Sequence, residues 1–326
     1  MNFFTDAGSI KVLFSSLSAK IALFHQVKKG IKRINQTAML IGADSDPNCD
    51  GAKKLGKEYF LQMKRLSNYK SHELVDFLFS NQITHVIPTR DGELSFWAEN
   101  KTILNKKKID VMVSKNEAIK ICNDKLSFYE VSKDLAISPI PTHTDISKIK
   151  SNQYVVKERF GSGSSNIVMG VNASDAIQYA QKMSNPVFQP FISGKEFSAE
   201  TWLDSDGKSH GIVMRWRLKV IDGESHETEI FKNESWEILL RKLFEEIKGL
   251  RGHCLAQVIV TEGGLLHLVE LNPRLGGASP LALSAGLHSI DWFLLESLGK
   301  AGSIPQKPSI KHGLKLIKSN GRVVIT

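Results

Sequence analysis

Short apolar runs and amphipathic stretches alternate along the first third of the chain. "IKVLFSS" (10–16), "TAMLIGADSDP" (37–47), "ITHVIPTRDGE" (83–93) and "IDVMVS" (109–114) read as strands. Between them, "AKIALFHQVKKG" (19–30) reads as a helix ending at Gly30. "SHELVDFLFSNQ" (71–82) reads as a helix capped by Ser71, with Leu74, Phe77 and Leu78 on one face. Strands separated by helical segments predict a parallel sheet with crossover helices. Ligands of such sheets sit beyond the carboxyl ends of the strands, here Ser15–Ser16, Asp44–Asp46 and Thr89–Glu93. None of these loops matches GxGxxG, so a dinucleotide site is not supported.

The pattern changes near residue 113. "SKNEAIKICNDKLSFYEVSKDLAISPIPTHT" is helical from about Ser114 and breaks at Ser138-Pro139-Ile140-Pro141. Short strands follow in "YVVKERF", "PVFQPFI", "KEFSAETWLD" and "GIVMRWRLKV", with Asp206-Gly207 as a hairpin signal. "ESWEILLRKLFEEIKGL" is an amphipathic helix whose stripe and edges are Ile238, Leu239, Lys242, Leu243, Glu246 and Ile247. "HCLAQVIVTEGGLLHLVELN" reads as a strand pair joined at Glu262-Gly263. The expected division is an N-terminal α/β domain over 1–113, a second domain over 114–300, and a small cap or loose tail over 301–326.

Composition adds limits rather than an answer. The 326 residues are 41% hydrophobic and 24% charged, as in an ordinary globular protein. No apolar run approaches the ~20 residues of a membrane helix, and the N-terminus lacks the pattern of a signal peptide; a cytoplasmic protein is expected. The three cysteines are far apart and show no zinc spacing, so buried free thiols are expected. The net charge of +9 suits nucleic acid, a membrane surface or small anions. Its lysines are scattered, and "KKGIKR" and "NKKKID" are not interleaved with aromatics, so no specific nucleic-acid or membrane partner is expected.

Four stretches carry chemistry. In "LHLVELNPRLGG", Glu270 and Asn272 project from one face of a strand that Pro273 ends. A two-residue loop at Glu262-Gly263 would set Gln257 opposite Leu268 and diagonal to Glu270. Gln257, Glu270 and Asn272 then offer oxygen ligands with one full negative charge, a set suited to Mg²⁺; a polar strand end bonded to the next loop is the competing explanation. In "YVVKERFGSGSSNIVMG", Lys157 precedes Gly161–Ser165, whose glycines and serines can turn amides and hydroxyls toward an anion. "CNDKLSFYEV" starts a helix at Lys125. "VFQPFISGKEFSAE" joins Gln189, a kink at Pro190 and Glu196, offering backbone groups to a purine edge and an acid to ribose hydroxyls.

Taken in order, "NDK…SPIPTHT", "VVKERFGSGSSNIV", "QPFISGKEFSAETWLDSDG", "AQVIV" and "VELNPRLGGASPLALSAG" resemble the ATP-grasp superfamily, in its carbamoyl-phosphate-synthase-like branch of short single-module proteins. The resemblance implies a Rossmann-like N-terminal (pre-ATP-grasp) α/β domain and a two-lobed α+β ATP-grasp module, with the lid lobe at about 125–190. It implies that Lys125 and Lys157 hold ATP phosphates under a lid of Gly161, Ser162, Gly163, Ser164 and Ser165. Gln189, Phe191 and Ile192 line the adenine pocket, and Glu196 binds the ribose. Gln257, Glu270 and Asn272 hold Mg²⁺ (or Mn²⁺), and Arg274 steadies the transferred phosphoryl group. The chain departs from the family at "QPFI", where Pro190 replaces one member of a common acid or amide pair.

The implied reaction is an ADP-forming ligation: ATP phosphorylates a carboxylate, and an amine attacks the acyl phosphate. Arg215 and Arg217 of "MRWR" share a strand face and are assigned to the acceptor acid, with a surface salt bridge as the alternative. The rival readings are a carbamoyl-phosphate-synthase-like kinase acting on carbamate or a small acid without amine ligation, a non-catalytic nucleotide-binding module and, last, a basic nucleic-acid binder. The expected partners are a small-molecule carboxylate and an amine. A homodimer is left open, and no glutaminase-like segment is present.

Overall fold

The computed structural model describes residues 9–161, 166–319 and 321–326. The N-terminal third alternates β1 (Lys11–Phe14), α1 (Ile21–Ile34), β2 (Met39–Asp44), α2 (Asp50–Leu55), β3 (Phe60–Gln62), α3 (Ser71–Ser80), β4 (His85–Ile87), α4 (Asp91–Lys106) and β5 (Asp110–Val111). The strands form a parallel sheet of order β3-β2-β1-β4-β5. Both faces are covered, as crossover helices require. Val12, Phe14 and Leu40 pack with α1 on one side; Leu13, Ile41 and Val86 pack with Leu74, Leu78 and Trp97 on the other.

Next come α5 (Asn116–Asn123) and α6 (Lys125–Ser132), then a small lobe of β6 (Tyr154–Glu158), β7 (Ile167–Val171), α7 (Ala173–Ala180) and β8 (Pro186–Pro190). Its three-stranded sheet has the order β7-β6-β8 and its own small core around Tyr154, Val156 and Phe188. The large lobe holds β9 (Lys195–Leu203), β10 (Ser209–Ile221), β11 (Glu224–Phe231), α8 (Glu234–Glu246), β12 (Gly252–Val260), β13 (Leu266–Asn272), α9 (Ser279–Ala285), α10 (Ser289–Ser297), β14 (Lys315–Ser319) and β15 (Arg322–Ile325). Its strands make one seven-stranded sheet, β13-β12-β9-β10-β11-β14-β15. The polar, basic C-terminal stretch thus supplies the last two strands of the sheet, and Leu316 is fully buried in the core shared with β1, α1 and α10.

Several sequence expectations need correction. Gly30 does not end α1; the helix runs on to Ile34. Gly30 lies where α1 meets α10, and a Cβ there would stand 2.8 Å from Ile290 Cβ and 2.9 Å from Asp291 Oδ1. The helix start at Ser71 is capped instead by Glu73, whose carboxylate accepts from the Lys70 amide at 3.2 Å. In α8 the buried residues are Leu240, Leu243 and Phe244, while Ile238 is 69% exposed. The face that meets the sheet is rotated from the predicted stripe because Leu240, Leu243, Phe244 and Ile247 repeat at helical spacing. The β12–β13 turn is longer than two residues: Val260 pairs with Leu266, and Thr261 N donates to Leu265 O at 3.0 Å.

Gly30→Ala should therefore destabilise the protein by about 1–3 kcal/mol, because overpacking against Ile290 outweighs alanine's better helix propensity. Urea unfolding of the two proteins measures it, and equal or greater stability in the variant would contradict the close α1–α10 approach.

Candidate active site

The site is built on one face of the large sheet. Phe197 and Ala199 of β9, Ile212 and Met214 of β10, and Ala256 and Val258 of β12 point into the core beside α8. Strand alternation then sends Glu196, Ser198, Glu200, Arg215, Arg217, His253 and Gln257 to the opposite face. In β13 a bulge is needed to continue this pattern. Val258 pairs with Leu268, but Gln257 pairs with Glu270, so Val269 is the extra residue. Leu268 and Leu271, three apart, both reach the core, and Glu270 and Asn272 are left on the site face. Gln257 is therefore directly opposite Glu270 rather than opposite Leu268. Cross-strand pairing lines up Arg215, Ser198, Gln257 and Glu270 as one rung.

Asn272 Nδ2 donates to Glu270 Oε1 at 2.8 Å. That bond turns the Asn272 amide oxygen away, so this oxygen, the second Glu270 oxygen and the Gln257 amide oxygen remain as hard ligands. Such a donor set, with a single carboxylate, fits Mg²⁺, which keeps waters and shares phosphate oxygens.

Two lysines come from β6 and α6. Lys157, on β6, is 7% exposed. Burial lowers its pKa to about 8, with the Lys125 charge acting the same way and the carboxylates of Glu270 and Glu196 opposing. Lys125, at the start of α6, is also lowered, chiefly by burial and against the field of Glu270. Its ammonium donates to the Gly161 carbonyl at 2.9 Å, at a residue whose φ of +108° suits glycine. Asp124 caps α6 and receives both arms of Arg159 at 2.7 and 2.6 Å. Burial pushes its carboxyl up, but Arg159 and Ser127 outweigh this and hold it at about 2. Ser162, Gly163, Ser164 and Ser165 lie outside the described residues.

The segment between the lobes runs past Gln189, which is 4% exposed, then Phe191 and Ile192. Gly194 approaches β12 so closely that a Cβ would stand 2.3 Å from the Val260 carbonyl oxygen. Glu196 is ion-paired with Arg217 at 3.0 Å, and Arg217 Nη2 donates to Gly223 O at 2.8 Å. Burial raises the Glu196 pKa, with Arg217 opposing.

Sequence reasoning missed the partners of the arginines. Arg215 is 2% exposed and donates through Nε to Glu200 at 2.7 Å. Glu200 is fully buried and also meets His253 Nε2 at 2.9 Å, while His253 Nδ1 is 2.8 Å from Ser289 Oγ. Burial pushes the Glu200 carboxyl up, yet Arg215 and His253 bring it down to about 2. The signal was available, since Glu196, Ser198 and Glu200 alternate on a strand as Arg215 and Arg217 do. Arg274 grips Asp91 with both arms and donates through Nη1 to Leu275 O at 2.9 Å. Asp91 begins α4 beside the parallel sheet, so this pair joins that part of the chain to the end of β13. Nothing in the sequence links two residues so far apart. The field of Glu270 reaches Lys125, Lys157, Glu196, Arg217 and Arg274, so these five charges lie within electrostatic reach of one carboxylate.

Among known proteins, residues 122–278 match the model of the ATP-grasp domain. No curated protein matches the chain in sequence. Among solved structures, the fold is similar to a biotin carboxylase–β,γ-ATP complex from Campylobacter jejuni, with TM-score 0.73 and 14% identity over 95% of this chain and 76% of that one. It is similar to N5-carboxyaminoimidazole synthetase from Staphylococcus aureus complexed with ADP, with TM-score 0.73 and 14% identity over 98% and 84%. An L-amino acid ligase from Bacillus licheniformis gives TM-score 0.68 and 13% identity over 95% and 79%. Residues 122–278 thus match the ATP-grasp domain, and the chain as a whole shares its fold with these structures.

Proposed function

We propose that the protein is an ADP-forming ligase that uses ATP to phosphorylate a carboxylate and couples the acyl phosphate to an amine. The observation that carries this reading is the convergence of Lys125 of α6 and Lys157 of the small lobe with Gln257, Glu270 and Asn272 of the large sheet. Two cations facing an oxygen-ligand set across a cleft suit a triphosphate with its counter-ion. Gln257, Glu270 and Asn272 would hold Mg²⁺, which when bound offsets charge on the phosphate oxygens.

In this mechanism Lys125 and Lys157 fix the phosphates, and their burial strengthens each contact. A carboxylate oxygen of the acceptor attacks the γ-phosphorus and ADP leaves. The amine then attacks the acyl carbon, phosphate departs and the amine loses a proton. Arg215 and Arg217, on the face that carries Glu270, hold the acceptor acid. Glu200 fixes the first of them and Glu196 pairs with the second. Arg274 serves the transferred phosphoryl group from the end of β13 while Asp91 fixes its plane. The similarity to a carboxylase, a synthetase and an L-amino acid ligase supports the reaction class and leaves the acceptor open.

Three outcomes are expected. Glu270→Gln removes the only carboxylate of the metal set and should abolish Mg²⁺-dependent ATP turnover while thermal unfolding stays near wild type; a folded variant with undiminished turnover would remove the metal assignment. Lys157 is protonated below about pH 8, so the affinity for MgADP should be highest there. It should weaken by up to about tenfold per pH unit above that value, the slope of one linked proton. Calorimetric titrations from pH 7 to 9.5 should show this, and Lys157→Arg, charged throughout, should flatten the dependence. Finally, amino acids and small acids screened with ATP, Mg²⁺ and hydroxylamine should include one that raises ADP release and gives a hydroxamate. ADP release without any hydroxamate would point to a kinase with a stable phosphorylated product.

A further inference from the structure

Resting on the nucleotide reading above, one buried hydroxyl has a consequence for which base is accepted. The segment around Thr142 is anchored at both ends. Leu268 N donates to Ser138 O at 2.9 Å and Ile140 N to Leu268 O at 3.0 Å, which ties it to β13. His143 and Phe188 exchange backbone hydrogen bonds at 3.0 and 2.8 Å, which ties it to β8 and sets Thr142 opposite Gln189. Thr142 is 1% exposed, so its hydroxyl must find partners inside the protein. It donates to the Ile140 carbonyl at 2.9 Å. With its proton committed there, it can only accept from Gln189, whose Nε2 stands 2.7 Å away.

This relay settles which way round the Gln189 amide sits. Nε2 faces Thr142, and Oε1 faces the other way. Oε1 accepts no hydrogen bond from any described residue, yet it is not among the polar atoms sealed from solvent without a partner. Gln189 shares its sheet face with Val155 and Lys157, since Val155 pairs with Gln189 and Lys157 with Val187. The locked amide, with one Nε2 hydrogen committed to Thr142, therefore keeps Oε1 in a fixed place as its acceptor on the face that carries Lys157.

We infer that Thr142 is a positioning residue that sets purine specificity by fixing the Gln189 amide with its oxygen toward the base. Adenine carries an amino donor at C6 and guanine a carbonyl acceptor. A fixed Oε1 pairs with the first and opposes the second. An acceptor facing an acceptor leaves both unpaired and partly desolvated, which gives large discrimination from one atom. A serine at 142 keeps the relay. A valine removes the acceptor for Nε2, frees the amide to turn over, and lets it offer a donor to a guanine carbonyl.

The test is calorimetric binding of MgADP and MgGDP to the full chain. The wild type should prefer ADP by about a hundredfold or more. Thr142→Val should narrow the ratio at least about tenfold, through weaker ADP and tighter GDP binding, while Thr142→Ser keeps the wild-type ratio. Gln189→Glu, with acceptors at both oxygens, should keep the adenine preference and gives a second test if the valine variant does not fold. An unchanged ratio in a Thr142→Val protein that still binds ADP would overturn the inference and leave the nucleotide reading intact. A wild type that binds neither nucleotide would overturn both.

Discussion

A single inserted residue in β13 decides which side of the large sheet is core and which is site. Regular alternation would put Leu268, Glu270 and Asn272 on one face, and that face could be neither dry nor charged throughout. With Val269 bulged out, the leucines on either side of Glu270 both reach the apolar cluster under α8. Glu270 and Asn272 are released toward the cleft, and Gln257 comes opposite Glu270 without leaving its strand. The hydrophobic and ionic parts of the strand are then satisfied together. The charges of the two lysines across the cleft are set against that carboxylate.

Charge is distributed so that almost every cation near the cleft has an assigned anion. Arg215 has Glu200, Arg217 has Glu196, Arg274 has Asp91, and Arg159 has Asp124. Buried pairs of this kind add little net stability, because desolvation offsets attraction. They do fix guanidinium planes. Lys125 and Lys157 are different: among the described residues Lys125 donates to the backbone carbonyls of Arg159 and Gly161, and burial lowers the pKa of both lysines against the opposing field of Glu270. Fixed arginines and under-compensated lysines are a reasonable division of labour for a site that must hold one group still and bind another anion.

Much of this organisation is legible in the sequence. Apolar runs spaced by helical segments announce the parallel sheet, and the "VELNPR" strand shows its polar face through alternation alone. The limits are equally physical. Alternation reveals neither a longer turn nor a bulge, so the register of Gln257 came out two residues short, one from each. A glycine within a helical pattern reads as a stop unless its close neighbour, here Ile290, is known. The stripe of α8 was misplaced because charged residues on the flank do not show which apolar residues meet the sheet. Contacts between distant segments, such as Arg274 with Asp91 or His253 with Glu200, have no local signature. The basic C-terminal stretch looked like a tail because its apolar residues are few and spaced, with Ile304 and Leu316 buried and Val323 and Ile325 packed beside them.

The tether between Ser138 and His143 also has a mechanical meaning. Its first half is laced to β13 and its second half to β8, with Pro141 between. The sheet that carries Glu270 and the sheet that carries Lys157 therefore share a short common axle. Sliding one sheet past the other would tear backbone bonds on one side of it. This segment is thus a common support of the two sheets beside Gln189, so a change that loosens its hold on one sheet is felt at the other.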